Sequence, residues 1–228
     1  AFERAFFLPG THPAPGDCCS MPRNSVPAPM EALLAAELPE GDGWQYEPKW
    51  DGFRCIARRD GETVEMISRS GKPLGRYFPE VLEILGRVKE RRFTIDGELI
   101  IPLADRLDFE ALQMRLHPAE SRVRKLAKET PAGLMLFDVL EIGGKSLNER
   151  TLAERRKALE RFHKVNVVDG LLLSPATTSR DVALGWLKRS GGALDGVIAK
   201  RIDQPYRFGE RAMVKIKQLR TADCVVGG

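Results

Sequence analysis

The chain has 228 residues, 43% hydrophobic and 30% charged, with a formal net charge of +4. This length suits one large domain or two small ones, and the charge permits nucleic-acid binding without arguing for it. No apolar run reaches membrane-spanning length, no basic-then-apolar leader opens the chain, and four cysteines and three histidines form no metal-binding spacing, so a soluble cytoplasmic protein with reduced thiols and no zinc is expected.

Residues 1–29 carry Pro9, Pro13, Pro15, Pro22, Pro27 and Pro29 without sustained periodicity and read as a Pro-rich extension. A domain spanning 30–228 follows. Lys49 stands between Pro48 and the Asp51-Gly52 step, at a strand–loop junction. From Phe53 the side chains alternate, Asp60-Gly61 supplies a two-residue turn, and Val64 to Ile67 returns as the second strand of a hairpin. Val81, Leu82, Leu85 and Val88 predict a helix over 79–90, opened by Pro79. A strand over 93–101, a short helix marked by Phe109, Leu112 and Leu116, and a buried strand over 134–140 come next. Thr151 and Glu154 form a capping box at the start of a helix reaching Phe162. A strand over 165–173 precedes a helix opened by Ser179 and closed at Gly191-Gly192. Strands over 196–200 and 212–217 and one starting near Asp223 complete the pattern. The class is α+β, with largely antiparallel sheets flanked by helices.

No phosphate-binding glycine loop or nucleophile elbow is present in the sequence. What stands out is the placement of charge. Asp96 and Glu98 share one face of an otherwise apolar strand. Taken alone they suit either a solvated sheet face or Mg²⁺ bound beside phosphates. Lys215 and Lys217 share a strand face, where they repel each other unless exposed or bridged by an anion. Asp195-Gly196 leads an apolar strand that ends in Lys200, Arg69 sits in a turn, and Phe137 is either core or a stacking platform. A lysine acts as a nucleophile only as the neutral amine, a form favoured by neighbouring cations or desolvation.

In order and spacing these residues resemble the covalent nucleotidyltransferases, specifically the ATP-dependent DNA ligases of the bacterial repair and end-joining type. Lys49-Trp50-Asp51-Gly52-Phe53-Arg54 resembles K-x-D-G-x-R, Ser68-Arg69-Ser70-Gly71 the arginine-bearing turn, and Asp96-Gly97-Glu98 the D-G-E motif. Leu136 to Val139 is similar to the base-stacking strand, Asp195 to Lys200 to E-G-x-x-x-K, and Lys215-Ile216-Lys217 to K-x-K. The resemblance implies an ATP-grasp-like adenylation domain. In it Lys49 attacks the α-phosphorus of ATP to form a lysine–AMP adduct, and AMP then passes to the 5′-phosphate of a nick in duplex DNA. It further implies that Glu47 reads the adenine amino group, Phe137 stacks on the base, and Arg54 and Arg69 hold ribose and phosphate. Lys200, Lys215 and Lys217 would neutralise the α-phosphate, while Glu98 and Asp195 would help bind Mg²⁺ or Mn²⁺.

The sequence departs from the pattern at Asp195, where the family carries glutamate. The chain also stops at Cys224 to Gly228, where the resemblance places a linker to an OB-fold domain, so slow adenylation and poor sealing by a monomer are expected. Alternative readings are an RNA ligase or mRNA-capping-type nucleotidyltransferase, and a non-catalytic nucleic-acid-binding module. The last leaves Asp96, Glu98 and Asp195 without a role, because they would repel the same phosphates.

Overall fold

The computed structural model describes residues 28–103, 106–190 and 194–217. In chain order it runs β1 (Ala32–Ala35), β2 (Trp44–Trp50), β3 (Phe53–Asp60), β4 (Thr63–Ser68), α1 (Pro79–Gly86), β5 (Arg92–Ile100), β6 (Pro102–Leu103) and β7 (Arg106–Leu107). Then come α2 (Phe109–Met114), α3 (Glu120–Glu129), β8 (Gly133–Ile142), β9 (Lys145–Ser146), α4 (Leu152–Val165), β10 (Leu171–Leu173), α5 (Arg180–Lys188), β11 (Leu194–Arg201) and β12 (Met213–Ile216). One sheet has the order β1-β12-β11-β2; a second runs β10-β8-β5-β3-β4 with β9 beside β8, and β6 pairs with β7. Among the described residues only the β1–β12 and β10–β8 pairs are parallel, so the expected α+β, largely antiparallel class holds.

Strand alternation sorts the side chains into three cores. Ile95, Leu99, Leu134, Leu136 and Val139 face α1, α2 and α4 across the large sheet. Tyr46, Val197, Ala199 and Ile216 lie under α5 on the small sheet. Met30, Ile56, Leu140, Tyr206 and Met213 fill the space between the two sheets. The remaining part of that inter-sheet face is polar, and it forms the site.

Several elements differ from the sequence reading. The helix expected over 79–90 ends at Gly86, because the buried Arg59 guanidinium takes over its last carbonyls: Nη1 donates to the oxygens of Leu85, Gly86 and Val88 at 3.3, 2.9 and 2.6 Å. The strand expected over 165–173 shrinks to β10, since α4 runs on to Val165 and Gly170, at φ 85°, turns the chain. Val165 and Val167 are 60% and 83% exposed, so the apolar residues that suggested a longer strand point to solvent. Helix α3 is unanticipated: only Val123 and Ala127 are buried among ten residues, too thin an apolar stripe for periodicity to show. The Gly191-Gly192 cap and the strand near Asp223 lie outside the described residues. The hairpin has its two-residue turn one position later than expected, at Gly61-Glu62, because Asp60 still pairs with Thr63 and Gly61 takes φ 64°; both hydrogen bonds of the Thr151–Glu154 capping box are present.

Candidate active site

The small sheet presents three ranks of polar side chains. Strand β2 places Gln45, Glu47 and Lys49 on one face by simple alternation. The register sets Gly196 against Lys49, Ile198 against Glu47, and Lys200 against Gln45 on β11, with Lys215 of β12 beyond Ile198. Strand β2 is an edge strand, which is why Pro48, lacking an N–H, is tolerated inside it.

The large sheet supplies the opposite wall. Arg54 on β3 pairs in register with Glu98 on β5. Phe137 reaches the cavity through a β-bulge: Leu136 pairs with Gly97 and Asp138 with Asp96, leaving Phe137 unpaired between them. A bulge turns two successive side chains toward one side, so Phe137 enters the cavity while Asp138 is held beneath it. Arg155 of α4 fastens the bulge, its Nε and Nη2 donating to Asp138 Oδ1 and Oδ2 at 2.8 and 3.0 Å. Two glycines allow the walls to close. A Cβ on Gly52 would lie 2.2 Å from the Leu99 carbonyl oxygen, and one on Gly97 would lie 2.7 Å from that of Met135. The close approach at Gly97 is therefore to the neighbouring strand β8.

Eight of the ten residues to which the resemblance gives a role line one cavity: Glu47, Lys49, Arg54, Arg69, Glu98, Phe137, Lys200 and Lys215. The other two adjoin it through Lys49, whose Nζ donates to Asp195 Oδ2 at 2.6 Å, while Lys217 Nζ lies 2.7 Å from the same oxygen. Burial alone would raise the Asp195 pKa, but hydrogen bonds from Lys217 and Lys49 outweigh it and bring the carboxyl below its ordinary value. Lys200 Nζ donates to Glu47 Oε2 at 2.8 Å and sits 4.9 Å from the centre of the Phe137 ring. Arg54 lies 5.3 Å from that centre and makes a two-pronged bond to the fully buried Asp96, Nε to Oδ1 at 3.0 Å and Nη2 to Oδ2 at 2.6 Å. Desolvation opposes the Arg54 charge, yet the Asp96 carboxylate outweighs it and raises the Arg54 pKa. Asp96 and Glu98, which share a strand face and taken alone suited either a solvated face or bound Mg²⁺, divide: Asp96 is buried and anchors Arg54, and Glu98 faces the cavity. Burial pushes the Glu98 carboxyl up to about 8, against the lowering pull of Arg54 and Lys49.

Sequence reading passed over several contributors. Tyr206 donates to Asp96 Oδ2 at 2.5 Å and accepts from the Met30 backbone N–H at 3.1 Å, tying the two sheets together. Gln45 supports Glu47. Glu31 lies between Arg69 at 3.5 Å and Arg211 at 3.7 Å at the cavity edge. Gln45 belongs to the Gln45–Glu47–Lys49 alternation on β2, whereas Tyr206 and Glu31 belong to no short local pattern and only the three-dimensional register exposes them.

The arrangement offers an aromatic platform, a buried acceptor, several cations and two carboxylates around one lysine. Among the described residues no cluster of three or more metal-ligating side chains exists, so a cation here would draw part of its shell from a ligand. Residues 28–217 match the family model described as ATP dependent DNA ligase domain. DNA ligase C1 of Mycolicibacterium smegmatis is 47% identical over 215 residues, covering 89% of this chain and 60% of that protein. DNA ligase C of Mycobacterium tuberculosis is 47% identical over 210 residues, covering 88% and 57%. The chain thus spans somewhat over half the length of these relatives. Among solved structures, mycobacterial DNA ligase D complexed with ATP and MES shares the fold at a TM-score of 0.65 and 24% identity, covering 85% of this chain and 61% of that one.

Proposed function

The chain belongs to the ATP-dependent DNA ligase domain family, and from that premise we propose that it is the adenylating unit of a DNA ligase with Lys49 as nucleophile. The observation that carries this reading is the convergence of Glu47, Lys49, Phe137, Lys200 and Lys215 on a single cavity.

ATP enters with its base against Phe137 and its amino group toward Glu47. Arg54 and Arg69 hold the ribose and phosphate region, and Lys215 and Lys217 offset the charge that builds on the α-phosphate, while Lys200 stays on Glu47 at the base end rather than on the phosphate. The Lys49 nitrogen forms the N–P bond as the bond to pyrophosphate breaks. Before that, Lys49 must leave Asp195 and attack as the neutral amine, its proton passing to solvent. Lys217, bound to the same Asp195 oxygen, retains the carboxylate as Lys49 departs. Glu98 and Asp195 fit a hard divalent cation such as Mg²⁺ or Mn²⁺, because such ions take one or two carboxylates and complete their shell with substrate phosphates; bound there, the ion would offset phosphate charge. AMP then passes to the 5′-phosphate of nicked duplex DNA. We place this work in the cytoplasm and assign it to a monomer.

Incubation with α-labelled ATP tests the assignment. The chain takes up label, Lys49→Ala folds but takes up none, and label retained by Lys49→Ala would refute the nucleophile.

A further inference from the structure

We propose that Gln45 is a positioning residue that sets nucleobase choice by fixing the Glu47 carboxylate as an acceptor; this deepens the adenylation reading and rests on it. Gln45 and Glu47 sit two residues apart on β2 and share its polar face. Both are nearly closed to solvent, at 7% and 2% exposure. Gln45 Nε2 donates to Glu47 Oε1 at 2.7 Å, and Lys200 Nζ donates to Oε2 at 2.8 Å. A carboxylate only accepts, so the Gln45 amide must turn its NH₂ toward it. Each Glu47 oxygen then has one fixed donor and keeps acceptor capacity for a ligand.

That geometry favours one kind of purine. Adenine carries an amino group where guanine carries a carbonyl oxygen. An acceptor held in place binds the first and repels the second. Lys200 grips one oxygen only, leaving the carboxylate free to pivot about it. Gln45, gripping the other, removes that freedom. Its side chain touches Glu47 rather than the cavity, so it acts through its neighbour.

The test measures label transfer to the full chain from ATP and from GTP across nucleotide concentration, for wild type, Gln45→Met and Gln45→Glu. Methionine keeps the length of the side chain and removes the donor. Glutamate keeps the shape but, assayed at a pH where it is ionised, sets a carboxylate against Glu47 in place of a donor. Loss of a hydrogen bond to a charged group predicts an apparent KM for ATP about ten-fold higher in Gln45→Met, with kcat within about two-fold. The preference for ATP over GTP falls in both variants. Wild-type KM and preference in a folded Gln45→Met or Gln45→Glu overturn the proposal. So does a loss confined to kcat and melting temperature, which marks a merely structural role. Lys49→Ala separates the two readings: label surviving there defeats the adenylation reading, whereas label lost there, with unaltered Gln45 variants, defeats only this one.

Discussion

At the scale of single residues, the site depends on which charges are paired and which are left over. Asp96, Glu47 and Asp195 each have a cationic partner within 3 Å. Glu98 has none among the described residues, and its burial holds the proton on up to about 8. The stability consequence has a definite sign. Between the ordinary glutamate value of about 4.3 and 8 the unfolded chain releases a proton that the folded chain keeps, so stability falls as pH rises across that window. Glu98→Gln cannot titrate. Its melting temperature should gain on that of wild type from about pH 5 to pH 8, by a few degrees at about 2–4 °C per kcal/mol. Differential scanning fluorimetry of both proteins checks this, and a constant gap across the range would show that Glu98 ionises freely in the fold.

At the scale of elements, local signals that end in the backbone itself were legible, and those that depend on distant side chains were not. The Thr151–Glu154 box read correctly, and the hairpin turn to within one position, because each is closed by residues a few positions apart. The end of α1 did not, because the cap comes from Arg59, 26 positions earlier in sequence than the first helix carbonyl it binds. The bulge in β8 was equally hidden: Phe137 could be singled out, but not the shift that aims it. Arg155 and Asp138, each 1% exposed, hold that shift from α4. Arg155→Met strands a buried carboxylate and should cost about 3–5 kcal/mol. Adding Asp138→Leu should return most of the loss, since a matched apolar pair leaves no charge uncompensated. Chemical denaturation measures both; a single variant costing under about 1 kcal/mol would mean that the pair does not bind α4 to the sheet.

At the scale of the whole molecule, two sheets meet face to face, sealed on part of that surface by Met30, Ile56, Leu140 and Met213 and polar over the cavity. The sequence disclosed the polar ranks as alternating residues on separate strands, and ordered motifs grouped them. It did not disclose β1 or β2 as strands, nor Tyr206 bridging the sheets, because those depend on pairing between segments more than 100 residues apart. The cleft brings Lys49 and Asp195, 146 positions apart, into contact. Lys49 is the one residue there that must form a covalent bond. Intact mass of the purified chain, taken after ATP with Mg²⁺ and again after pyrophosphate, tests it most directly. A species heavier by one AMP that reverts with pyrophosphate and is absent from Lys49→Ala is the predicted result. A chain whose mass never changes, or an adduct that forms equally in Lys49→Ala, would contradict it.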